Sequence, residues 1–524
     1  MRFLMFCLVG ATLLPAQMNQ IEGARIRPHV KFLSSDLLEG RGVGQRGGQL
    51  AAQYLAAQFE AAGLRPGAPG GGYLQTVPLR SVEVDAGAQL SASAEGKSIQ
   101  LNWLDDFVGT SHTQEPAAGF DAEVVFAGHG ITAPEYKWAD YQGVDVRGKV
   151  VVLFTNEPPS DDPAFFQGKA LTYYGRWTYK YEEAARQGAV AAIIIHTTPT
   201  ASYGWQVLRA NGRPQPQIRR TPGQPALAFA GWVTTDAGGQ ILALAGKTVD
   251  ELLKQADTPG FRPVPLGKLR VKGKFRFNLQ EIETHNVVGV APGSDPRLSS
   301  EAVVMTAHWD HLGLGEAKQG DRIYNGALDN ATGCAMLVEM ARAWATMEPK
   351  PLRSAYFVAV TAEESGLLGS RYLAENPPVP AERIAANLNF DSFAQYGRVR
   401  SVIMTGADKT SFYPLVQGVA RRHQLNIEAD SHPETGGYYR SDHYSFARVG
   451  VPAFSIHMGS DFEGRPPSFA AEKGKEQAAR YHQPTDEFDE GWDFSGMEQF
   501  GRFGFALAAE IANLEKIPAR MNAR

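Results

Sequence analysis

From residue 284 onwards, short hydrophobic runs alternate with segments in which apolar residues recur at helical spacing. The runs predict strands at 286–290, 302–307, 355–361, 385–390 and 451–457. The helical spacing predicts helices at 332–346, 366–375, 410–424 and 496–513. Strands that alternate with helices indicate an α/β fold, with a mostly parallel mixed sheet between helices. Ligands in such sheets bind beyond the carboxyl ends of the strands, so the residues there are the first candidates for a functional site.

The pattern before residue 284 is different. Residues 21–65 include the Ala-rich stretch "GGQLAAQYLAAQFEAAGL" and predict helix, whereas residues 73–110 alternate and predict strands. From about residue 120, three strand-like runs and one helical segment follow: "AEVVFAGHGI", "GKVVVLF", "AVAAIIIH" and "YKYEEAARQG". We interpret residues 120–280 as a β-rich domain inserted into an α/β domain that residues 18–119 and 281–524 form together.

Composition restricts the class of protein. A chain of 524 residues is too long for one ordinary core and predicts several domains. Its 43% hydrophobic and 10% aromatic content is that of a globular protein and excludes a disordered chain. The formal net charge is −5 and no run of basic residues stands out, so we expect no nucleic-acid partner.

The first residues, "MRFLMFCLVGATLLPAQ", predict a secretory signal peptide over residues 1–17 with cleavage near Ala16. The apolar run is shorter than the roughly 20 residues that span a bilayer, so no stable membrane span is expected. The mature protein would then be secreted or periplasmic. Cys334 would be its only cysteine, which excludes a disulfide within the mature chain.

Imidazoles and carboxylates follow the predicted strands or precede the predicted helices. In chain order they are His308, Asp310, His311, Asp329, Glu363, Glu364, Asp391 and His482. Each one alone has an ordinary explanation, since Asp often caps helices and neighbouring glutamates often lie on a solvated helix face. Their coincidence at five places in one α/β unit indicates a shared cation. Histidine together with carboxylates is the ligand set of catalytic zinc sites.

The segments that carry these residues occur in the order of a known family. They are "ETHNVVGVAPGSD", "AHWDHLG", "NGALDNATG", "TAEESGLLGS", "NFDS", "SDHYSF", "GVPAF" and "YHQPTDE". Residues 284–515 resemble the catalytic domain of the co-catalytic di-zinc aminopeptidases, a zinc exopeptidase family that includes glutamate carboxypeptidase and transferrin-receptor-like proteins. Residues 21–80 resemble the N-terminal portion of that family. The inserted region, with "VFAGHGITAPEYKWADYQGVDVRGKVVVLF", resembles a protease-associated (PA) domain.

The resemblance implies two Zn²⁺ per chain and a role for each ligand. His308 and Asp391 would bind one ion, Glu364 and His482 the other, and Asp329 would bridge both. A cis peptide between Asp329 and Asn330 is implied as well.

The remaining implied roles are catalytic or supporting. Glu363 would act as the general base, and Tyr481 would contact the carbonyl oxygen of the substrate. Asp310 would orient His308 through a hydrogen bond. His311 matches no metal ligand of the family, and we expect a structural role for it.

The predicted function is a metallo-aminopeptidase that removes N-terminal residues from peptides with a free N-terminus. One alternative is a carboxypeptidase of the glutamate carboxypeptidase type, for which Arg440 is the one basic residue near the expected cleft. A single-zinc glutaminyl cyclase and a non-catalytic receptor are further alternatives, although the full two-metal ligand set is present. The preferred terminal residue and the oligomeric state stay open.

Overall fold

The computed structural model of the protein describes residues 17–201, 203–209 and 214–518. The predicted signal peptide therefore lies outside the described residues, except for Gln17. The chain forms two compact units. The first comprises the chain up to Pro78, Glu283–Asp430 and the chain from Tyr438 onwards, and the second comprises Leu79–Ile282 and Ser431–Gly437.

The first unit is built around a mixed sheet. In spatial order its strands are Arg65–Pro66, the end of Val264–Ala291, Ser354–Val360, Ala302–His308, Ile384–Phe390, Ala453–Met458, Ser401–Thr405 and Asn426–Glu428. The third to the sixth strands in this order are mutually parallel. Their carboxyl ends therefore meet at the same edge of the sheet.

Helices pack on both faces of this sheet. They are Gly23–Leu33, Arg46–Ala61, Thr332–Ala345, Leu368–Glu375, Tyr413–Arg422, His443–Arg448, Phe469–Arg480 and Ser495–Ala512. Alternate residues of each strand enter different cores, because successive side chains of a strand point to opposite faces. Val303 and Met305 pack in one core, and Val304 packs in the other with Phe446. Within the described residues no helix is both long and apolar enough to cross a membrane.

The second unit has a sheet of its own. Its spatial order is Phe107–Thr110, Phe229–Val233, Ala191–Ile195, Val150–Phe154, Ala117–Phe126, the beginning of Val264–Ala291, Gln89–Ala94 and Lys97–Leu101. Leu74–Val84 pairs with Gln215–Ile218. The described helices are Trp177–Arg186, Thr198–Ala201, Trp205–Arg209, Thr235–Ala243 and Val249–Ala256.

The strands and helices predicted after residue 284 are confirmed to within a few residues, except that the predicted strand 286–290 is the end of the longer strand Val264–Ala291. The single helix predicted over residues 21–65 is wrong. The structure has two helices there, separated by the segment Asp36–Arg41, in which Glu39, Gly40 and Arg41 have positive φ angles. A left-handed backbone ends an α-helix, and the Ala-rich periodicity on both sides concealed the break.

The second unit begins at Leu79, not near the predicted residue 120. The strands Gln89–Ala94 and Lys97–Leu101 join its sheet, because Gln89–Ala94 pairs with residues 270–274. That pairing joins segments about 180 residues apart in sequence, so local periodicity does not predict it. Whether this unit is a PA domain stays a prediction.

Candidate metal centre

The carboxyl edge of the first unit's sheet carries the candidate residues. His308 is the last residue of the strand Ala302–His308, and Asp391 directly follows Ile384–Phe390. Glu363 and Glu364 follow Ser354–Val360 by three and four residues. These strands are adjacent and parallel, so the four side chains meet at one place.

Asp329 and His482 reach the same place from loops. Asp329 lies in the turn before the helix Thr332–Ala345, and His482 follows the helix Phe469–Arg480. The peptide bond between Asp329 and Asn330 is cis, as the family resemblance implied.

Two groups of ligand atoms share Asp329. In the first, Nε2 of His308 lies 3.1 Å from Oδ1 of Asp329 and 3.4 Å from Oδ1 of Asp391. In the second, Nε2 of His482 lies 3.4 Å from Oδ2 of Asp329 and 2.9 Å from Oε2 of Glu364. One carboxylate oxygen of Asp329 therefore faces each group, which is the arrangement of a bridging ligand.

The donor atoms have the spacing of zinc ligands. Bonds of 2.0–2.2 Å to a tetrahedral ion place neighbouring donors about 3.3 Å apart. The imidazole nitrogens lie 2.9–3.4 Å from the carboxylate oxygens of their groups, and all donor atoms of a group lie within 4.8 Å of one another. Imidazole and carboxylate are also the donor types that zinc accepts. The residues present therefore fit two divalent ions.

The charges of the site call for such a cation. Burial alone would lower the pKa of His308, but Asp391 and Glu363 outweigh it and hold this pKa well above its ordinary value. Burial likewise opposes protonation of His482, yet Glu364 and Asp329 raise its pKa to about 10. Both imidazoles therefore tend to hold a proton in the absence of metal. A metal ion bound to the ring nitrogens can take the place of that proton.

Glu363 and Glu364 are neighbours with different surroundings. Burial and nearby carboxylates, Glu364 first among them, raise the pKa of Glu363 well above its ordinary value despite the opposing charge of His308. Burial also acts against ionisation of Glu364, but His311 and His482 bring its pKa to about 2. Glu364 is therefore the anionic ligand type, and Glu363 holds a proton readily.

Asp310 supports the site differently from the prediction. Its carboxylate accepts hydrogen bonds from the backbone N–H groups of Glu363, at 3.1 Å, and Glu364, at 3.4 Å. Nδ1 of His308 is 4.0 Å from that carboxylate and 3.1 Å from the backbone oxygen of Asp310. The backbone carbonyl therefore orients His308, while the carboxylate positions the two glutamates.

Three residues of the site have left-handed backbone conformations. Ala362, directly before Glu363, has φ 55°, Ser392, directly after Asp391, has φ 59°, and His482 itself has φ 57°. Such conformations are unfavourable for residues with a Cβ and persist where the surroundings enforce them. They turn the chain sharply at the strand ends and aim the adjacent side chains into the cluster.

Tyr481 lies at the open side of the cluster. Its side chain is about half exposed, and its ring stacks on His482 with 3.8 Å between centroids. Ser441 donates a hydrogen bond of 2.7 Å to Oδ2 of Asp391, and the hydroxyl of Ser392 donates one of 3.2 Å to Oδ1, the oxygen that faces the first group.

Sequence reasoning assigned His311 no role at the site. The structure buries its ring and places Nδ1 2.6 Å from Oε1 of Glu364, while its Nε2 has no hydrogen-bond partner among the described residues. His311 therefore fixes one oxygen of Glu364 and leaves the other facing His482. Its position three residues after His308 was the only signal in the sequence.

Arg41 was missed entirely. Its guanidinium is buried and donates only to backbone oxygens, those of Trp309, Leu33, Asn325, Gly326 and Asp329. It therefore joins the end of the strand that delivers His308 to the loop that delivers Asp329. Asp486 completes the support of that loop, because its carboxylate accepts the N–H groups of Leu328 and Asp329 at 3.0 and 3.1 Å.

Known proteins share this part of the chain. Residues 286–507 match the model of Peptidase family M28. The M28 segment, as we call residues 286–507, contains every candidate ligand as well as Glu363 and Tyr481. Together with the donor groups it confirms the predicted class of zinc-dependent peptidase for this part of the chain.

Individual relatives cover less of the chain. Leupeptin-inactivating enzyme 1 of Streptomyces exfoliatus is 27% identical over 207 residues, which are 37% of this chain and 42% of that protein. A probable zinc metalloprotease of Pyrenophora tritici-repentis is 36% identical over 107 residues, 20% of this chain and 21% of that protein. The chain thus spans less than half the length of these two relatives.

A solved structure extends the likeness in fold. The aminopeptidase from Aneurinibacillus sp. strain AM-1 has 19% sequence identity and a TM-score of 0.53, covering 96% of this chain and 97% of that one. At this identity the likeness concerns the fold alone, and it supports the α/β architecture described above.

Proposed function

We propose that the protein is an aminopeptidase that uses two zinc ions. The observation that carries the proposal is the position of Asp329, whose two carboxylate oxygens face two separate donor groups. His308 and Asp391 would hold one ion, and Glu364 and His482 the other. Bound zinc would polarise the scissile carbonyl and make water more acidic.

The chain's own residues would move the protons. Glu363 takes a proton from the attacking water and returns it to the leaving amine, which requires a carboxyl that changes its protonation state easily. The hydroxyl of Tyr481 donates a hydrogen bond to the developing oxyanion from the open side of the cluster.

The charges at the site favour one end of a peptide substrate over the other. Carboxylates dominate the cluster, and the buried guanidinium of Arg41 is committed to backbone oxygens. Arg440, the basic residue a carboxypeptidase would use, is exposed. A free α-ammonium group is therefore favoured over a substrate carboxylate, and the solved aminopeptidase of similar fold supports this reading.

The deciding experiment compares three substrates of the purified protein after zinc loading. We expect hydrolysis of leucine p-nitroanilide and none of its N-acetyl form. A peptide with an acidic C-terminal residue and a blocked N-terminus should be stable. Equal cleavage of the free and acetylated anilides would refute an aminopeptidase, and cleavage of the blocked acidic peptide alone would establish the carboxypeptidase alternative.

Metal content tests the other half of the proposal. Elemental analysis should give two divalent ions per chain after zinc loading and dialysis, and the Asp329→Asn variant should bind fewer. One ion per chain in the native protein would overturn the two-ion arrangement.

We further propose that the protein is secreted or periplasmic and that its second unit is a PA domain. Mapping of the mature N-terminus would test the location. Peptide binding to the second unit would test the PA domain.

A further inference from the structure

A row of basic side chains lies along the exposed face of the second unit's sheet. Every second residue of the strand Val264–Ala291 is basic over part of its length, and all of these side chains are exposed: Lys268, Arg270, Lys272, Lys274 and Arg276. We call these five residues the basic stripe. Alternate residues of a strand are about 6.6 Å apart, so the stripe is about 26 Å long. The alternation conceals it from a search for basic runs.

Folding does not require this row. Lysine often blocks the free edge of a sheet, but residues 270–274 pair on both sides, with Ala117–Phe126 and with Gln89–Ala94. The inward residues of the strand, such as Val271 and Phe275, supply the core contacts. The outward positions are therefore free to vary without loss of packing.

Acidic neighbours compensate only one end of the stripe. Arg270 pairs with Asp121 at 2.8 Å, and Lys268 approaches Glu95 to 3.7 Å. Glu123, the next acid on the neighbouring strand, pairs with Lys149 at 3.1 Å.

The other end of the stripe lacks such compensation. Within the described residues no ion pair is found for Lys272, Lys274 or Arg276. Lys272 stands opposite Ser91 and Asp121, and the carboxylate of Asp121 is already paired with Arg270. Lys274 stands opposite Gly119 and Gln89. Arg276 stands opposite Ala117, and its backbone oxygen accepts the N–H group of Asp85. Three exposed cations in line are thus available to an anionic partner.

We propose that the basic stripe binds a linear acidic polysaccharide that carries carboxylate or sulfate groups. A polymer lying along the strand meets Lys272, Lys274 and Arg276 in turn. Neutral residues flank Lys274 on both sides, whereas Asp121 lies opposite Lys272. A flat anionic membrane would also face Asp121 and Glu123, which lie beside the stripe and repel it. The narrow, one-strand width of the positive charge therefore favours a chain over a plane.

The flanking residues also distinguish a polysaccharide from a nucleic acid. Proteins that bind single-stranded nucleic acids stack the bases on exposed aromatic side chains. The outward positions beside the uncompensated cations carry no aromatic side chain, and Phe120 points inward, where its ring is tilted against that of Phe275. These positions are Ser91, Gln89, Asp121, Gly119 and Ala117. This face can therefore bind a ligand through charge, but its described residues beside these cations include no aromatic side chains on which bases could stack.

The test titrates the full-length protein into fluorescently labelled, short-chain dextran sulfate at low salt, with neutral dextran as the ligand control. The triple variant K272T/K274T/R276T keeps β-favouring residues in the strand. We expect it to bind dextran sulfate roughly tenfold to a hundredfold more weakly than the native protein. Its salt dependence should also fall, because fewer ion pairs form.

A matched variant removes three other cations of the same unit, K169S/K254S/R262S, which are exposed and lie outside the stripe. It should bind dextran sulfate within about twofold of the native protein, since only general charge is lost. Thermal unfolding and peptidase activity on a short substrate should be unchanged in both variants, which separates this proposal from the proposed peptidase function.

Three results would overturn the proposal. Equal weakening by the two triple variants would show that binding follows net charge alone. Tighter binding of single-stranded DNA than of dextran sulfate, abolished by the stripe variant, would make the partner a nucleic acid. Binding to vesicles rich in anionic lipid, without binding to dextran sulfate, would make the surface a membrane contact.

Discussion

At the scale of single residues, the proposed function gives two adjacent glutamates different tasks. Glu364 contacts His311 through one oxygen and His482 through the other, so both of its oxygens are engaged. Burial and the charges of neighbouring carboxylates raise the pKa of Glu363. In the proposed function, one strand end would thus deliver an anionic ligand and a group that exchanges protons.

The first prediction separates these tasks. Glu363→Gln should keep both metal ions but reduce kcat by at least about 10²–10⁴-fold, because the amide cannot accept a proton. Steady-state kinetics and elemental analysis on the same sample measure the two effects. Glu364→Gln is the matched variant and should lose metal first, with activity partly restored by excess zinc. Near-normal turnover by Glu363→Gln would contradict the assignment.

Arg41 acts through the backbone of the site. Five carbonyl oxygens accept from its guanidinium, and a lysine at this position could satisfy only some of them. Each buried carbonyl left without a partner costs about 1–3 kcal/mol.

The second prediction concerns Arg41→Lys. We expect it to destabilise the protein by roughly 2–4 kcal/mol and to weaken zinc binding, because the loop that carries Asp329 loses its support. Arg353→Lys is the control: Arg353 is equally buried but pairs with Glu301 and the backbone oxygen of Leu514. It should lose stability without a change in zinc affinity, measured with a competing chelator. Similar zinc affinity in both variants would make Arg41 a general stability residue.

At the scale of elements, the break between the first two helices positions Arg41. The helix Arg46–Ala61 begins with Gly47 and Gly48 packed against this break. A Cβ on Gly47 would lie 1.7 Å from the backbone oxygen of Leu38, and one on Gly48 would lie 2.4 Å from that of Gly42. Two glycines are thus required for close contact, whereas sequence periodicity counts them only as weak helix formers.

The third prediction uses this contact. Gly47→Ala should destabilise the protein by about 1–3 kcal/mol, since the segment that carries Arg41 has to move. Gly474→Ala, in the helix Phe469–Arg480, is the control because a Cβ there meets nothing within 4 Å. It should stabilise by about 0.5–1 kcal/mol. Chemical denaturation measures the free energy of unfolding of both variants. If Gly47→Ala were more stable than the native protein, the segment Asp36–Arg41 would be able to move without cost, which would contradict the prediction.

The local sequence predicted the candidate ligands better than it predicted the residues that hold those ligands in place. Most of the candidate ligands lie at the ends of strands, or before a helix, that periodicity predicts. His482 is the exception, because it follows the helix Phe469–Arg480, which was not predicted. The family resemblance implied how the ligands divide between two ions. Arg41 bonds to residues about 270 positions away, and His311 contacts Glu364 across 53 positions. Neither contact leaves a local pattern. The early start of the second unit was missed for the same reason, because it depends on pairing between residues 89–94 and 270–274.

At the scale of the whole molecule, the metal centre links stability to pH. Without ions, burial raises the pKa of Asp310 to about 6 and that of Asp442 to about 7. A buried acid of this kind favours its protonated form in the folded state. Its contribution to stability is therefore lost as the pH rises from the unfolded value near 4 through the raised value.

The two histidines with raised pKa values, His308 and His482, act in the same direction at higher pH. His482, with a pKa raised to about 10, contributes stability below the unfolded value near 6.5 and loses it as the pH rises towards 10. Glu364, whose pKa is lowered to about 2, contributes throughout this range and loses its contribution only under strongly acid conditions. The groups of the candidate metal centre should therefore stabilise the metal-free protein less and less between about pH 5 and pH 9. His443, whose pKa is lowered to about 3, and Lys180, whose pKa is lowered to about 7, act in the opposite direction, so the effect of the centre is read from the difference between metal-free and zinc-loaded protein.

The fourth prediction is that bound zinc removes this decline. Two divalent cations compensate the charges of the ionised carboxylates and replace the protons on the imidazoles. The stability of the zinc-loaded protein should therefore rise relative to that of the metal-free protein as the pH increases. Thermal unfolding of chelator-treated and zinc-loaded protein at intervals from pH 5 to pH 9 measures the gap between their melting temperatures. That gap should widen with pH and close again when chelator is added to the loaded protein. A gap of constant size would mean that the buried carboxylates and imidazoles are not the groups that bind the ions.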